Sequence, residues 1–111
     1  MKENKITLGV TLDDGNMPEK LTWQAEDNPD GLKEPAESKA ILLSIYDKET
    51  SDTLKIDLWT KKMTIEEMDH FFFQTLNAMS DTYEKATKNK LLAEDMRKFV
   101  EYFGKKTEIL K

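Results

Sequence analysis

The chain has 111 residues, no cysteine and a net charge of -5, from 17 Lys and Arg against 22 Asp and Glu. This length suits one domain with a single core, so two independent domains are not expected. The lack of cysteine excludes disulfides, thiolate catalysis and zinc-thiolate sites. The acidic balance, with basic residues interleaved among acidic ones, argues against nucleic acid as a partner.

The sequence shows none of the patterns of export or membrane insertion. Its start, M-K-E-N-K-I-T-L-G-V-T-L-D-D, alternates apolar and polar positions and soon becomes acidic, unlike the unbroken apolar run of a signal peptide. No segment approaches the roughly 20 apolar residues that span a bilayer. We therefore expect a cytoplasmic protein with no direct membrane insertion.

The first half of the chain has the period-two pattern of β-strands. The first strand alternates apolar with small or polar residues, and D-D-G-N at 13–16 follows it as a turn; its apolar positions are Ile6, Leu8, Val10 and Leu12. A second strand carries Leu21, Trp23 and Ala25 on one face, with Pro18 at its entry. Residues 26–37, with two prolines and the turn sequence N-P-D-G at 28–31, are predicted to form the longest loop.

A third strand is predicted over 38–46, and a fourth carries Leu54, Ile56 and Leu58 on one face. Ala40 to Leu43 is apolar at every position, as in a central strand that is covered on both sides. Short connections favour pairing between successive strands, so residues 1–62 are predicted to form a four-stranded antiparallel meander.

The junction M-T-I-E-E-M at 63–68 predicts the change from strands to helices. Thr64 can cap a helix, and Glu67 can reach back to the Thr64 amide, which is the capping-box pattern. An apolar stripe with helical spacing follows, made of Ile65, Met68, Phe72, Leu76, Met79, Tyr83 and Ala86. A second stripe runs from Leu92 to Phe103, and Gly104 is expected to end that helix. Asn89 either breaks the two helices apart or lies within one longer helix.

Residue types that carry chemistry occur here without the partners that a catalytic or metal site needs. His70 follows Glu66 and Glu67 at the spacing of a Glu-x-x-His metal-ligand pair, but this is half a site, and Glu67 is also required for the helix cap. The adjacent acidic pairs, Asp13 with Asp14 and Glu94 with Asp95, fit turn and surface roles better than acid-base catalysis. We expect no catalytic, cofactor-binding or metal-binding residue and no cofactor.

Three consecutive phenylalanines, Phe71 to Phe73, cover too much of a helix to face one core. Phe72 lies on the apolar stripe, whereas Phe73 points away from it, towards Asn77 and Ser80. Phe73 is then either shielded by the second helix or exposed to a partner. Our prediction favours a partner contact formed by Phe73, Asn77 and Ser80.

Five blocks of the sequence carry a family resemblance that spans nearly the whole chain. They are P-E-K-L-T-W-Q-A (18–25), K-A-I-L-L-S-I-Y-D (39–47), T-L-K-I-D-L-W-T-K-K-M (53–63), E-E-M-D-H-F-F-F-Q-T-L-N-A-M-S-D-T-Y-E-K-A-T (66–87) and L-A-E-D-M-R-K-F-V-E-Y-F (92–103). In order and spacing they resemble the gliding-motility-associated GldC family. The resemblance implies a small cytoplasmic protein of gliding bacteria that assists motility without being a recognised enzyme or motor.

The sequence as a whole thus predicts a single α+β domain over 1–111, with a sheet over 1–62 and two helices over 63–111. This order of elements is similar to the topology of the export chaperone SecB. The expected function is a non-enzymatic accessory of gliding motility that contacts proteins of the gliding or secretion machinery, with a homo-oligomer through the sheet. Two alternatives remain: a SecB-like chaperone or export adaptor, and a small-ligand carrier that uses Trp23 and Trp59 as walls.

Overall fold

The structure is a computed structural model and describes residues 1–27 and 34–111. The described chain forms two compact units, Met1–Met63 with the strands and Thr64–Lys111 with the helices. Antiparallel strands followed by two helices confirm the predicted α+β class. The predicted N-P-D-G turn at 28–31 lies outside the described residues.

Three strands form the first sheet: β1 (Ile6–Leu12), β2 (Pro18–Ala25) and β3 (Ala36–Ser38), in the order β1-β2-β3 and all antiparallel. The turn between β1 and β2 is held by the Asp13 carboxylate, whose Oδ1 accepts hydrogen bonds from Gly15 N at 2.9 Å and Met17 N at 3.0 Å. Asn16 takes a positive φ of 61°. The turn chemistry of D-D-G-N therefore forms as the sequence predicts.

The register of this sheet separates an apolar face from a polar face. Leu8 lies opposite Trp23 and Val10 opposite Leu21, so their side chains share one face. Leu21 is fully buried and is the only large apolar side chain of the described strands with no exposed surface. The first sheet therefore has one well-covered apolar position.

Two further strands, β4 (Ala40–Tyr46) and β5 (Thr53–Trp59), form a separate antiparallel sheet. The prediction of one four-stranded meander is therefore wrong. The predicted strand over 38–46 is divided at Lys39, because Ser38 pairs with Leu21 whereas Ala40 pairs with Trp59. The chain passes from one sheet to the other within a single residue.

The loop predicted over 26–37 is shorter than expected at its end, because Ala36 and Glu37 belong to β3. Ala36 pairs with Trp23 and Glu37 with Thr22, so backbone pairing with β2 overrides the polar, proline-containing local sequence. Residues 28–33 of this predicted loop lie outside the described part of the chain.

Two helices form the second unit, α1 (Ile65–Thr87) and α2 (Lys90–Lys106). The capping box is confirmed: Glu67 N donates to Thr64 Oγ1 at 3.1 Å, and Thr64 N donates to Glu67 Oε1 at 3.0 Å. The helices separate at Lys88, whose φ is 63°, and Asn89 caps α2 by accepting a hydrogen bond from Leu92 N at 3.1 Å.

Gly104 does not end α2, which continues to Lys106. The glycine lies inside the helix and is buried. A Cβ at this position would lie 2.7 Å from Phe73 Cε1 and 2.7 Å from Leu110 Cδ1. The prediction that Gly104 is a terminator is wrong, because its missing side chain makes room for two packed side chains.

Candidate functional site

Phe73 lies between the two helices. It is half-buried, and its Cε1 atom reaches the space that a side chain at position 104 would occupy. Leu110 closes the same space after α2 ends, and its N–H donates to the Gly104 carbonyl at 2.9 Å. The structure thus places Phe73 in the packing of α1 on α2, which is the shielded alternative considered for this residue.

Asn77 and Ser80, the other two predicted contact residues, differ in exposure. Asn77 is exposed, whereas Ser80 is fully buried and donates its hydroxyl to the Leu76 carbonyl at 3.0 Å. The hydroxyl is therefore satisfied within its own helix. A partner contact by these residues stays a prediction, and only Asn77 of the three lies openly at the surface.

The most deeply buried residues of the two helices are mostly small. Ser80 on α1 and Ala93, Val100 and Gly104 on α2 are buried. Small side chains let two helix backbones approach closely, and Gly104 leaves room for Phe73. The predicted apolar stripe is divided: Met68, Leu76 and Tyr83 are half-buried, whereas Ile65, Phe72 and Met79 are exposed. Periodicity located an apolar face of α1 but did not identify its partner.

Arg97 joins the two helices through two carboxylates. Its Nη1 donates to Glu84 Oε1 at 2.8 Å, and its Nη2 donates to Asp81 Oδ1 at 2.9 Å. Hydrogen bonds to Glu84, and then to Asp81, raise the pKa of Arg97 above its ordinary value. This bridge was not identified from the sequence, although Asp81 and Glu84 share one side of α1 by their spacing.

The groups weighed for metal binding do not assemble. Glu67 is occupied as a helix cap, and His70 is exposed. Within residues 1–27 and 34–111, no three His, Cys, Asp or Glu side chains are grouped so that they could hold a metal ion. Trp23 and Trp59 lie in different sheets.

The most extensive aliphatic surface of the second sheet is one face of β4 and β5, which we call the hairpin face. Cross-strand pairing places Ile41 opposite Leu58, Leu43 opposite Ile56, and Ile45 opposite Leu54. These residues carry no polar group, and Ile45 is 47% exposed and Leu54 59% exposed. An isolated two-stranded sheet is only marginally stable in water. The hairpin face is therefore an aliphatic surface that a covering partner would stabilise.

The fold and these surfaces define a small α+β protein in which aliphatic strand residues remain exposed on a two-stranded sheet. Residues 18–109 match the family described as gliding motility-associated protein GldC-like. Because this match covers most of the chain, the protein belongs to that family. No match was found among curated proteins or among solved structures. Neither helix of the described residues is long and apolar enough to cross a membrane.

Proposed function

We propose that this protein is a non-enzymatic, cytoplasmic accessory of gliding motility that works by binding another protein of the gliding or secretion machinery through the hairpin face. The family match supports the association with gliding motility. The contact mechanism is supported by one observation: the aliphatic residues of the hairpin face lie together on one side of β4 and β5 and remain partly exposed.

The partner expected for this surface presents an aliphatic or amphipathic element of its own. Exposed aliphatic side chains on a sheet give little hydrogen-bond specificity, so affinity comes from the apolar area removed from water. The other face of the same strands carries Asp57 and Lys55, whose carboxylate and ammonium are 3.9 Å apart, and the exposed Tyr46. The two faces of one hairpin can therefore be compared directly.

The test uses two neighbouring residues of β4 with side chains on opposite faces. Ile45→Lys places a charge on the hairpin face, and Tyr46→Lys places the same charge on the other face, where Tyr46 is 70% exposed. Each variant replaces the wild type in the gliding host, and captured proteins are quantified alongside colony spreading. We expect Ile45→Lys to lose a defined partner and impair spreading, and Tyr46→Lys to retain both.

Three other outcomes would overturn the proposal. Equal capture and normal spreading with both variants would mean that the hairpin face is not the contact surface. Broad capture of many unfolded proteins, with no defined partner, would favour the chaperone or export-adaptor alternative. Normal capture by Ile45→Lys, together with loss of an apolar small molecule from the purified protein, would favour a ligand carrier.

A further inference from the structure

Strand β1 forms an open edge of the three-stranded sheet, and among residues 1–27 and 34–111 it pairs with β2 alone. Glu26 N donates to Lys5 O at 3.1 Å, and Asp13 N donates to Met17 O at 2.9 Å. In an antiparallel ladder, alternate residues turn their backbone groups towards the neighbouring strand. Lys5 and Asp13 turn these groups towards β2, and so do the alternate residues between them. The other residues therefore direct their N–H and C=O groups to the open edge: Ile6, Leu8, Val10 and Leu12.

This edge lacks the usual protection against pairing with another strand. Natural edge strands carry charged residues, prolines or central bulges that prevent such pairing. The seven residues of β1, I-T-L-G-V-T-L, include no charge and no proline. The one irregularity in the ladder lies between Thr11 and Leu12, at the end of the strand. In the described part of the chain, no strand therefore pairs with the open edge of β1.

The sequence of β1 is symmetric in residue class about Gly9. On either side of the glycine comes an aliphatic residue, then a threonine, then another aliphatic residue. Antiparallel pairing of β1 with an identical strand, centred on Gly9, would place Thr7 opposite Thr11 of the partner subunit. It would also place Leu8 opposite Val10 of the partner subunit. Threonine pairs and aliphatic pairs of this kind both stabilise sheets.

We infer that β1 pairs with β1 of a second copy of this chain across a two-fold axis at Gly9, joining two three-stranded sheets edge to edge. A second copy is the favoured occupant because a two-fold interface requires a self-complementary surface, which the symmetric pattern supplies. The apolar faces of the two sheets become continuous, since Leu8 and Val10 share the face of Leu21 and Trp23.

A glycine is needed at position 9 even without a partner subunit, because a Cβ there would collide with Thr22 Oγ1 across the β1–β2 ladder. The residues that flank Gly9 therefore carry the self-complementarity. This inference places the predicted homo-oligomer at the edge of the first sheet and is independent of the hairpin face. The strand also precedes the residues, 18–109, that match the family.

Cysteine pairs provide the first test, because the natural chain contains no cysteine. Thr7 and Thr11 of the partner subunit would form a pair without mutual backbone hydrogen bonds, where Cα atoms are about 4.5 Å apart and a disulfide can form. Two Thr7 residues would be about 13 Å apart, four residues along the strand, which is too far. We therefore expect Thr7→Cys mixed with Thr11→Cys to form a cross-linked dimer under mild oxidation.

The single variants are the matched controls for this cross-link. Thr7→Cys alone and Thr11→Cys alone should give at most a few per cent of the cross-linked dimer formed by the mixture. An equal yield in a single variant, or none in the mixture, would overturn the proposed register. Adding Ile45→Lys should leave the cross-link unchanged, so this inference and the hairpin-face proposal can fail separately.

Charge substitution gives a second, reversible test of the same register. In Thr7→Lys/Thr11→Glu, each lysine would face a glutamate across the two-fold axis, whereas in Thr7→Glu/Thr11→Glu like charges would meet. The two variants differ only at position 7, whose cross-strand neighbour in the same chain is the uncharged Gln24. Sedimentation equilibrium at low salt should give a dimer Kd at least about tenfold tighter for the Lys/Glu variant. Equal dissociation constants would overturn the inference.

Discussion

The helical unit and the strand unit differ in how they bury their side chains. Between α1 and α2, small residues allow close packing, Gly104 accommodates Phe73, and Arg97 bridges two carboxylates. Among the described residues of the strand unit, Leu21 is the only fully buried large apolar residue, while the hairpin face and the edge of β1 keep aliphatic side chains exposed. The contrast teaches that apolar pattern and apolar burial are separate properties. Both units keep apolar side chains exposed, but the two helices are also joined by the Arg97 bridge and by close packing beside Gly104.

The largest expected effect tests Leu21, the fully buried leucine of β2. Leu21→Ala should lower the free energy of unfolding by about 3 kcal/mol, since it removes a fully buried side chain and leaves a cavity. Leu54→Ala, at a position that is 59% exposed, should cost under about 1 kcal/mol. Both tryptophans, Trp23 and Trp59, lie in the strands, so urea melts followed by tryptophan fluorescence report on this unit. Equal losses of stability for the two variants would mean that Leu21 is packed no better than the exposed aliphatic residues of the strands.

The next effect concerns the packing of the helical unit. Phe73→Ala should lower the free energy of unfolding by about 2 kcal/mol, because its half-buried ring fills the space beside Gly104. Phe99→Ala is the matched control on α2, where the ring is 53% exposed and a loss under about 1 kcal/mol is expected. Circular dichroism at 222 nm during urea unfolding follows the helices. A Phe73→Ala variant with full stability but weaker self-association or partner binding would restore the contact role predicted for this residue.

A smaller effect tests the start of α1. Thr64→Ala should cost about 1 kcal/mol, because it removes the hydroxyl that accepts a hydrogen bond from Glu67 N. Thr64→Ser retains the hydroxyl and should stay close to the wild type in the same helix-specific melt. If Ala and Ser behaved alike, the cap would contribute nothing measurable to this helix.

The smallest effect concerns the β1–β2 turn and its pH dependence. Hydrogen bonds from Met17 N, then the Lys61 ammonium 3.2 Å away, lower the pKa of Asp13 below its ordinary value. Asp13 therefore contributes stability above about pH 4, the unfolded pKa, and loses it as the pH falls through the lower folded pKa. Asp13→Asn should thus be less stable than the wild type at pH 7, with the difference shrinking towards pH 2. A difference that is constant with pH would contradict the role of the charge.

Local sequence rules predicted the features that depend on neighbouring residues. The capping box needs only Thr64 and Glu67 at a fixed spacing, and the β1–β2 turn needs only 13–16, so both were recognised directly. Period-two alternation likewise located β1, β2 and β5. In each case the information lies within a few residues of the structure that it determines.

Features that depend on distant partners were not predictable in this way. The division of 38–46 at Lys39 depends on Leu21 and Trp59, which pair with different ends of the segment. The position of Phe73 depends on Gly104, on the other helix, which in isolation has the pattern of a terminator. The local sequence, a glycine followed by lysines, is the same for a glycine that ends a helix and for one that makes room for an aromatic ring inside it.

The one-residue passage at Lys39 also constrains how the chain can change in length. Side chains alternate between faces along a strand, so adding or deleting one residue there would invert either the β2–β3 pairing or every side chain of β4. The hairpin-face aliphatics would then exchange sides with Leu42 and Tyr46. Thr60 N, just after β5, donates to the Lys39 carbonyl at 2.9 Å and so helps to fix the chain at this point. We therefore expect natural relatives to have no insertion or deletion at this residue. The side-chain directions in β3 and β4 would then always change together or not at all.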